Sequence, residues 1–260
     1  MNLILFETPF EQLDLSADDP RTLHILKVLK IELGGVFYVG FINGPRALGK
    51  LVKVNKDASI TLSIVQQEVS PACLPIDLLI GMPRPHTAKR VLFEASCLGV
   101  RRMHFFQSDN TEPSYMQSRL WKEGNYKERL MLGAEQSFTT HVPEIQVHAN
   151  LETALSKINH SVDHEAFLAM DNYEAGQSLG CSLKNSKDVK TSPISLAFGS
   201  ERGWSDSERS LLLKENWKFV HLGTRVLRLE MAVVSAIAIA ADALNLWTGG
   251  TGSSLSDLCD

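Results

Sequence analysis

The sequence has few cysteines, and no two of them stand at the spacing of a zinc-ligand motif. Its four cysteines, Cys73, Cys97, Cys181 and Cys259, are scattered along 260 residues without a CxxC pair. This distribution argues against a zinc site, so no metal is expected, and it is typical of proteins from a reducing compartment. A chain of this length can bury a substantial core without disulfide bonds.

Long apolar runs, a signal sequence and an excess of positive charge are also missing. The first residues, MNLILFETPFEQ, lack the cationic region and the small-residue cleavage site of a signal peptide. The most apolar segment, 229–247, contains Glu230 and Asp242 and is too charged for the roughly 20 apolar residues that cross a bilayer. We therefore expect a cytoplasmic protein with no membrane partner. Its net charge of −4 means that any RNA partner would need a local basic surface.

Residues 1–70 have the pattern of a small β-rich domain. Strands are predicted at 2–6, 36–42, 47–54 and 59–66. A helix is predicted from Asp18-Asp19-Pro20 to Gly34-Gly35, and Asn43-Gly44 is a hairpin signal between two of the strands. Short strands with tight turns and one helix predict a small barrel. Two prolines then mark residues 71–75 as a linker.

Residues 76–248 alternate between strand and helix patterns, which predicts an α/β domain with a mostly parallel sheet. Strands are predicted at 76–82, 102–107, 144–147, 165–170, 194–198 and 219–222. Helices are predicted at 88–98, 119–137, 151–158, from 205 and from 229. Residues 172–191 are predicted as a loop with at most a weak helix. The Gly/Ser-rich tail, 249–260, is expected to be mobile.

Two of these strands lead into glycine-containing loops. The strand at 194–198 is followed by Gly199 and Gly203, and the strand at 219–222 is followed by Gly223. Ligands of open α/β sheets bind where strands end, so these loops form the predicted ligand site. Without further support, an ordinary strand-to-helix connection is the better explanation of such a loop. The sequence has no GxGxxG motif, which argues against a dinucleotide site.

The residues around the two loops add further signals. Ser205 and Glu208 form a capping-box pattern that should open a helix. Arg225 and Arg228 precede the last helix, where a solvated helix start would favour acidic residues. They therefore indicate an anion or a polarised carbonyl to be bound. An ion pair of either arginine with Glu201 or Glu230 is the structural alternative, and both explanations can hold together.

Several strings of the sequence match family motifs in order along the chain. They are HILKVLK at 24–30, LGV at 98–100, EQS at 135–137 with VPEI at 142–145, GSERGWS at 199–205 and LGTRVLRLE at 222–230. The corresponding motifs are HxxxVLR, ELGV, EQSxRxxVPEI, GPEGGFS and LGxRILRxETA. With them the chain resembles the RsmE family of small-subunit ribosomal RNA uracil-N3 methyltransferases, members of the SPOUT superfamily. The last two motifs, at their mutual spacing, are specific.

This resemblance implies an architecture and a cofactor. The expected fold is a PUA-like β-barrel at 1–70 followed by a SPOUT domain with a deep trefoil knot at 76–248, assembled as a homodimer. S-adenosylmethionine would bind in the knot, and the partner would be ribosomal RNA or the small ribosomal subunit. The expected cofactor-binding residues are Met170, Phe198, Gly199, Glu201, Gly203, Leu222, Gly223, Arg225 and Leu227. For Met170, a core position is an equally good explanation.

The resemblance also implies a chemistry. Uracil N3 becomes a good nucleophile when it loses its proton, and the negative charge then spreads onto O2 and O4. Arg228 is the expected catalytic residue because a guanidinium beside those oxygens would stabilise that charge. Glu230 would either act as a general base or orient Arg228, and orientation is the favoured role. Lys27, Lys30, Arg84 and Arg90 are expected to contact RNA, although each alone is also ordinary surface charge.

Some positions depart from the family strings. Ser200 replaces a proline, Arg202 replaces a glycine of GPEGG, and Met231 replaces the threonine of ETA. We expect these three side chains to lie in the cofactor pocket. On the expected substrate side, Glu94 replaces a lysine. These changes keep two alternatives open: a SPOUT-fold methyltransferase with a different RNA target, and a non-catalytic RNA-binding paralogue.

Overall fold

The computed structural model describes residues 3–159, 166–185 and 193–247, so the predicted tail at 249–260 lies outside the described residues. The described chain divides into two compact units. One consists of residues 3–72 with 134–142, and the other of residues 73–133 with 143–247. The sequence pattern did not predict that 134–142 belongs with the first unit. None of the helices in the described ranges has the length and apolarity needed to cross a bilayer.

The first unit is built on a five-stranded, mostly antiparallel sheet. Its strands are β1 (Ile4–Phe6), β2 (Gln12–Leu15), β3 (Val36–Phe41), β4 (Arg46–Val54) and β5 (Ile60–Glu68), in the spatial order β1-β3-β4-β5-β2. Only β1 and β3 pair in parallel. Asn43 takes a φ of +57° between β3 and β4, which confirms the predicted hairpin. The apolar core includes Ile25, Val39 and Leu51, which are fully buried.

The helical segment of this unit is shorter than predicted. Asp19 caps α1 (Pro20–Leu23) by accepting a hydrogen bond from the Arg21 N–H, and a π-helical turn follows at His24–Val28. The segment ends at Lys30, which takes a φ of +54°, and the Ile31 N–H donates back to the Ile25 carbonyl at 3.0 Å. The predicted end at Gly34-Gly35 was wrong because a non-glycine residue adopts the left-handed conformation that closes the helix.

The second unit contains a six-stranded sheet in which every neighbouring pair is parallel, which confirms the predicted α/β class. The strand order is β11-β9-β10-β6-β7-β8. The strands are β6 (Leu74–Gly81), β7 (Val100–Phe106), β8 (Glu144–His148), β9 (Ala166–Met170), β10 (Ile194–Phe198) and β11 (Lys218–Val220). The helices are α2 (Pro85–Cys97), α3 (Arg119–Lys122), α4 (Tyr126–Gln136), α5 (Leu151–Asn159), α6 (Leu179–Asn185), α7 (Asp206–Lys214) and α8 (Leu229–Ala243).

One helix prediction differs from the structure, and a second stretch, 172–191, contains the short helix that was allowed for there. The single helix predicted at 119–137 is divided into α3 and α4, because Gly124 between them takes a φ of +72° that continues no helix. The helix α6 lies within the stretch predicted mainly as loop. The predicted capping box is confirmed: the Ser205 Oγ accepts from the Glu208 N–H, and the Glu208 carboxylate accepts from the Ser205 N–H.

The register of the sheet brings three strand ends together. Met170, the last residue of β9, is paired with Phe198, the last residue of β10, and with Val220, the last residue of β11. The loops that follow these strands therefore leave the sheet side by side. This edge is where a ligand site of a parallel sheet is expected.

Candidate functional site

A pocket lies at the ends of β9, β10 and β11. It is lined by the loops after these strands, by the first half of α2 and by the start of α8, and its volume is about 880 Å³. Small-molecule sites typically have volumes of roughly 300–1,000 Å³, so the pocket is large enough for a nucleoside-sized ligand.

Most of the predicted site residues line this pocket. They are Met170, Phe198, Gly199, Glu201, Gly203, Leu222, Arg225 and Leu227 from the predicted cofactor set, with Arg228, Glu230, Arg84 and Arg90. Lys27 and Lys30 lie in the first unit, where both are exposed. Gly223 is not among the lining residues. Its N–H donates to His221 Nδ1 at 3.1 Å, and its φ of +120° turns the chain between Leu222 and Arg225.

The loop after β10 is closed on itself. A Cβ on Gly199 would lie 2.8 Å from the backbone carbon of Gly203, so a side chain at Gly199 would force the loop apart. Ser200 Oγ donates to the Gly203 carbonyl and accepts from the Arg202 N–H, both at 3.3 Å. The positive φ of the loop, +78°, falls on Gly203 and not on Arg202. The loop therefore accommodates both Ser200 and Arg202.

An indole links two of the loops. Trp204 Nε1 donates to the Met170 carbonyl at 2.9 Å, and its ring stacks on Phe106 with an interplanar angle of 8°. Met170 and Trp204 both line the pocket, and Trp204 is 5% exposed. This bond ties the end of β9 to the loop after β10, so one side of the pocket is held in a fixed shape.

The carboxylates of the pocket pair with arginines other than Arg225 and Arg228. Glu201 accepts from Thr87 Oγ1 at 2.5 Å and lies 3.6 Å from Arg84 Nε, and Glu230 lies 3.3 Å from Arg90 Nη1. The ion pairs of these glutamates with Arg225 or Arg228, which were the structural alternative, are not formed among the described residues. The reason is that α2 starts beside both loops and supplies its own cations to them.

Arg225 and Arg228 consequently have no ion pair with a carboxylate in the part of the chain that the structure describes. Both are exposed. Arg228 is the N-cap of α8, with extended backbone at φ −65° and ψ 152°. The neighbouring Leu227 is half-buried, so the loop is held by an apolar side chain between two arginines that face solvent.

Met231 lies outside the site. It is 55% exposed and does not line the pocket, although Glu230 and Ala232 on either side of it do. The expectation that Met231 enters the pocket was therefore wrong. Successive helical positions point in directions about 100° apart, so neighbours of a pocket residue can face away from it.

Sequence reasoning missed one polar group of the pocket, Asp171. This buried carboxylate accepts from the Tyr173 N–H at 2.6 Å and from Arg209 Nε at 2.8 Å, and all three residues line the pocket. It holds the loop after β9 against α7. Its position in the sequence could have indicated this role, because an acidic residue directly after a buried strand is rarely buried without a partner.

Comparison with known proteins places the chain among RNA-modifying enzymes. The sequence model of the family described as the RNA methyltransferase domain matches residues 70–241. Ribosomal RNA small subunit methyltransferase E of Treponema pallidum (strain Nichols) is 30% identical over 254 residues, which cover 95% of this chain and 93% of the relative. Ribosomal RNA small subunit methyltransferase E 1 of Borreliella burgdorferi is 28% identical over 245 residues, 94% of this chain and 99% of the relative.

The fold has a matching crystal structure. Ribosomal RNA small subunit methyltransferase E from Neisseria gonorrhoeae, bound to S-adenosyl methionine, matches this chain with a TM-score of 0.76 at 20% identity. The match covers 93% of this chain and 97% of that chain, so both units of the fold are shared.

Proposed function

The chain belongs to the RNA methyltransferase domain family, in its ribosomal RNA small subunit methyltransferase E branch, and from this premise we propose that it methylates N3 of a uridine in small-subunit ribosomal RNA. S-adenosylmethionine is the proposed methyl donor. The observation that carries the proposal is the pocket itself: two glycine loops at the ends of parallel strands enclose it, and Arg228, which has no carboxylate partner among the described residues, lines it.

The residues of the pocket fit S-adenosylmethionine. Phe198, Leu222 and Leu227 offer apolar surface for a purine ring, and the pocket volume suits a nucleoside with an amino-acid side arm. Gly203 leaves open space, because a Cβ built there would meet no protein atom within 4 Å. When bound, this cofactor supplies a methyl group on a positively charged sulfonium. The residues proposed to hold it are the pocket-lining members of the predicted set, with Gly223 shaping the loop.

Arg228 is proposed as the catalytic residue. A negative charge develops on uracil O2 and O4 as N3 gives its proton to solvent water, and the planar guanidinium can donate to these oxygens. The group is available for this role because it is exposed and unpaired among described residues. Glu230 pairs with Arg90, so its proposed role is to fix the start of α8 against α2 rather than to orient Arg228.

The role of the first unit, the knot, the oligomeric state and the cellular location are also proposals. A PUA-like RNA-binding role for the first unit is supported by its five-stranded sheet and by the exposed Lys27 and Lys30. A trefoil knot is proposed from the family motifs together with the fold shared with the Neisseria gonorrhoeae methyltransferase. A homodimer is supported by the exposed apolar side chains of Val226 and Met231, and sedimentation velocity tests it. A cytoplasmic location follows from the proposed substrate, and cell fractionation tests it.

A modification map tests the proposed reaction. We expect small-subunit ribosomal RNA from a deletion strain to lose one N3-methyluridine in mass spectrometry, and the purified protein to bind S-adenosylmethionine in calorimetry. If a different methylated nucleotide were lost instead, that nucleotide would be the target and the N3-uridine assignment would be wrong. An unchanged map, together with normal growth on an Arg228→Ala allele, would reject catalysis and leave RNA binding alone.

A further inference from the structure

The arginines of this protein divide into two classes. Of the twelve arginines in the sequence, nine form an ion pair with a carboxylate. Three have no carboxylate partner within the described ranges: Arg202, Arg225 and Arg228. All three line the one pocket described above. Unpaired guanidinium groups are thus confined to a single place in the described molecule.

The pocket therefore carries local positive charge in a protein with a net charge of −4. Six arginines and three carboxylates line it, and the pairs Arg84–Glu201, Arg90–Glu230 and Arg209–Asp171 account for all three carboxylates. The remaining three positive charges lie on the loops after β10 and β11. A concave site with one sign of uncompensated charge attracts ligands of the opposite sign.

Arg202 is the least expected of the three. It occupies a position where the family string GPEGG has glycine, so the motif itself supplies no side chain there. Its backbone is fixed, because its N–H donates to Ser200 Oγ at 3.3 Å. Its neighbour Glu201 is already engaged by Thr87 and Arg84. The Arg202 backbone is thus held in place, while its exposed guanidinium has no carboxylate partner among the described residues.

We propose that Arg202 binds the phosphodiester backbone of the RNA next to the target nucleotide, and that Arg84 and Arg90 instead hold the pocket walls. This inference rests on the proposed function for the identity of the polyanion. A guanidinium binds phosphate through two parallel hydrogen bonds, and such contacts position the chain without reading its sequence. The carboxylate of the cofactor's amino-acid arm is the competing ligand for the same chemistry.

Salt-dependent RNA binding tests the proposal. A fluorescently labelled oligouridine is titrated with the full chain by anisotropy at several salt concentrations. For Arg202→Gly we expect weaker binding and a slope of log K against log salt that is smaller by about 1, which corresponds to one lost phosphate contact. Arg202→Lys should keep the slope, because the charge remains. S-adenosylmethionine affinity in calorimetry should be unchanged in both variants.

The matched control is Arg119→Ala, which removes the same charge from an exposed arginine of α3 that lies outside the pocket and pairs with Glu123. Its slope should equal that of the wild type. The proposal is overturned if Arg202→Gly leaves the slope unchanged, if Arg119→Ala lowers it equally, or if Arg202→Gly weakens cofactor binding instead. Methyl transfer by the wild type to ribosomal RNA is measured separately, so failure of the proposed function would be recognised on its own.

Discussion

Both halves of the parallel sheet hold a buried arginine–carboxylate pair, Asp77 with Arg101 and Arg102 in one and Asp171 with Arg209 in the other, but only one half also presents arginines without a carboxylate partner among the described residues. In the β6-β7-β8 half, Asp77 is 1% exposed and accepts hydrogen bonds from both Arg101 and Arg102, with guanidinium-to-carboxylate distances of 2.6 and 2.8 Å. In the β11-β9-β10 half, Arg225 and Arg228 are exposed and have no carboxylate partner among described residues. An arginine that is paired with a buried carboxylate therefore stabilises the fold, whereas an arginine without such a partner is available to bind a ligand.

Removing the buried carboxylate should give the largest change. In Asp77→Ala, two partly buried guanidinium groups lose their common partner, and we expect a loss of about 3–5 kcal/mol in the free energy of unfolding. Urea denaturation measures it. Glu123→Ala breaks an exposed pair with Arg119 and should cost no more than about 1 kcal/mol. Similar losses in the two variants would remove the distinction between buried and exposed pairing.

The proposed catalytic residue, Arg228, should instead lose activity and keep its stability. Arg228→Ala removes a donor to the developing oxyanion, and we expect the kcat of methyl transfer to fall by about 10²–10³-fold. The free energy of unfolding should change by no more than about 0.5 kcal/mol, because the side chain is exposed and unpaired among described residues. Single-turnover methylation and urea denaturation of the same preparation check both. A stability loss as large as that of Asp77→Ala would make Arg228 a structural residue.

A pair of buried histidines, one on β7 and one on β8, should make the stability of the β6-β7-β8 half depend on pH. His104 Nδ1 lies 3.0 Å from His148 Nε2. Burial and the neighbouring His148 lower the pKa of His104 from 6.5 to about 4, against the opposing effect of Asp77. Burial, with the nearby Lys157, also lowers the pKa of His148.

The folded state binds protons at these two histidines less readily than the unfolded chain does. The free energy of unfolding is therefore not reduced by the histidines above pH 6.5, and it decreases as the pH falls below that value. We expect the free energy of unfolding to fall by about 3 kcal/mol between pH 6.5 and 4 from His104 alone. Denaturation at a series of pH values measures this, and His104→Asn should flatten the curve in that window. A flat curve for the wild type would show that the pair is solvated and that this half of the sheet is less enclosed than the structure indicates.

Local signals in the sequence predicted most of the fold. The alternation of strand and helix predicted the parallel sheet, and the capping box at Ser205 and Glu208 predicted the start of α7. Failures came where local signals were weak. Strand β2 has only four residues, and the turn at Gly124 interrupts an otherwise continuous helical pattern.

The site was predictable in its backbone but not in its ion pairs. Glycines at strand ends mark a ligand edge in any α/β chain, so Gly199 and Gly203 could be identified directly. The partners of Glu201 and Glu230 could not, since Thr87 and Arg90 are 114 and 140 residues away along the chain. No periodicity carries information over such separations. Only the folded sheet brings α2 beside the two loops.

The position of Trp204 has a practical consequence for experiments on this protein. It is the one tryptophan of four that lines the pocket, and its indole N–H is fixed by the Met170 carbonyl. Indole emission responds to the polarity and hydrogen bonding of its surroundings. Trp204 is therefore an intrinsic fluorophore at the proposed ligand site, and a change in tryptophan emission on titration, absent in a Trp204→Phe variant, would report binding without an attached dye.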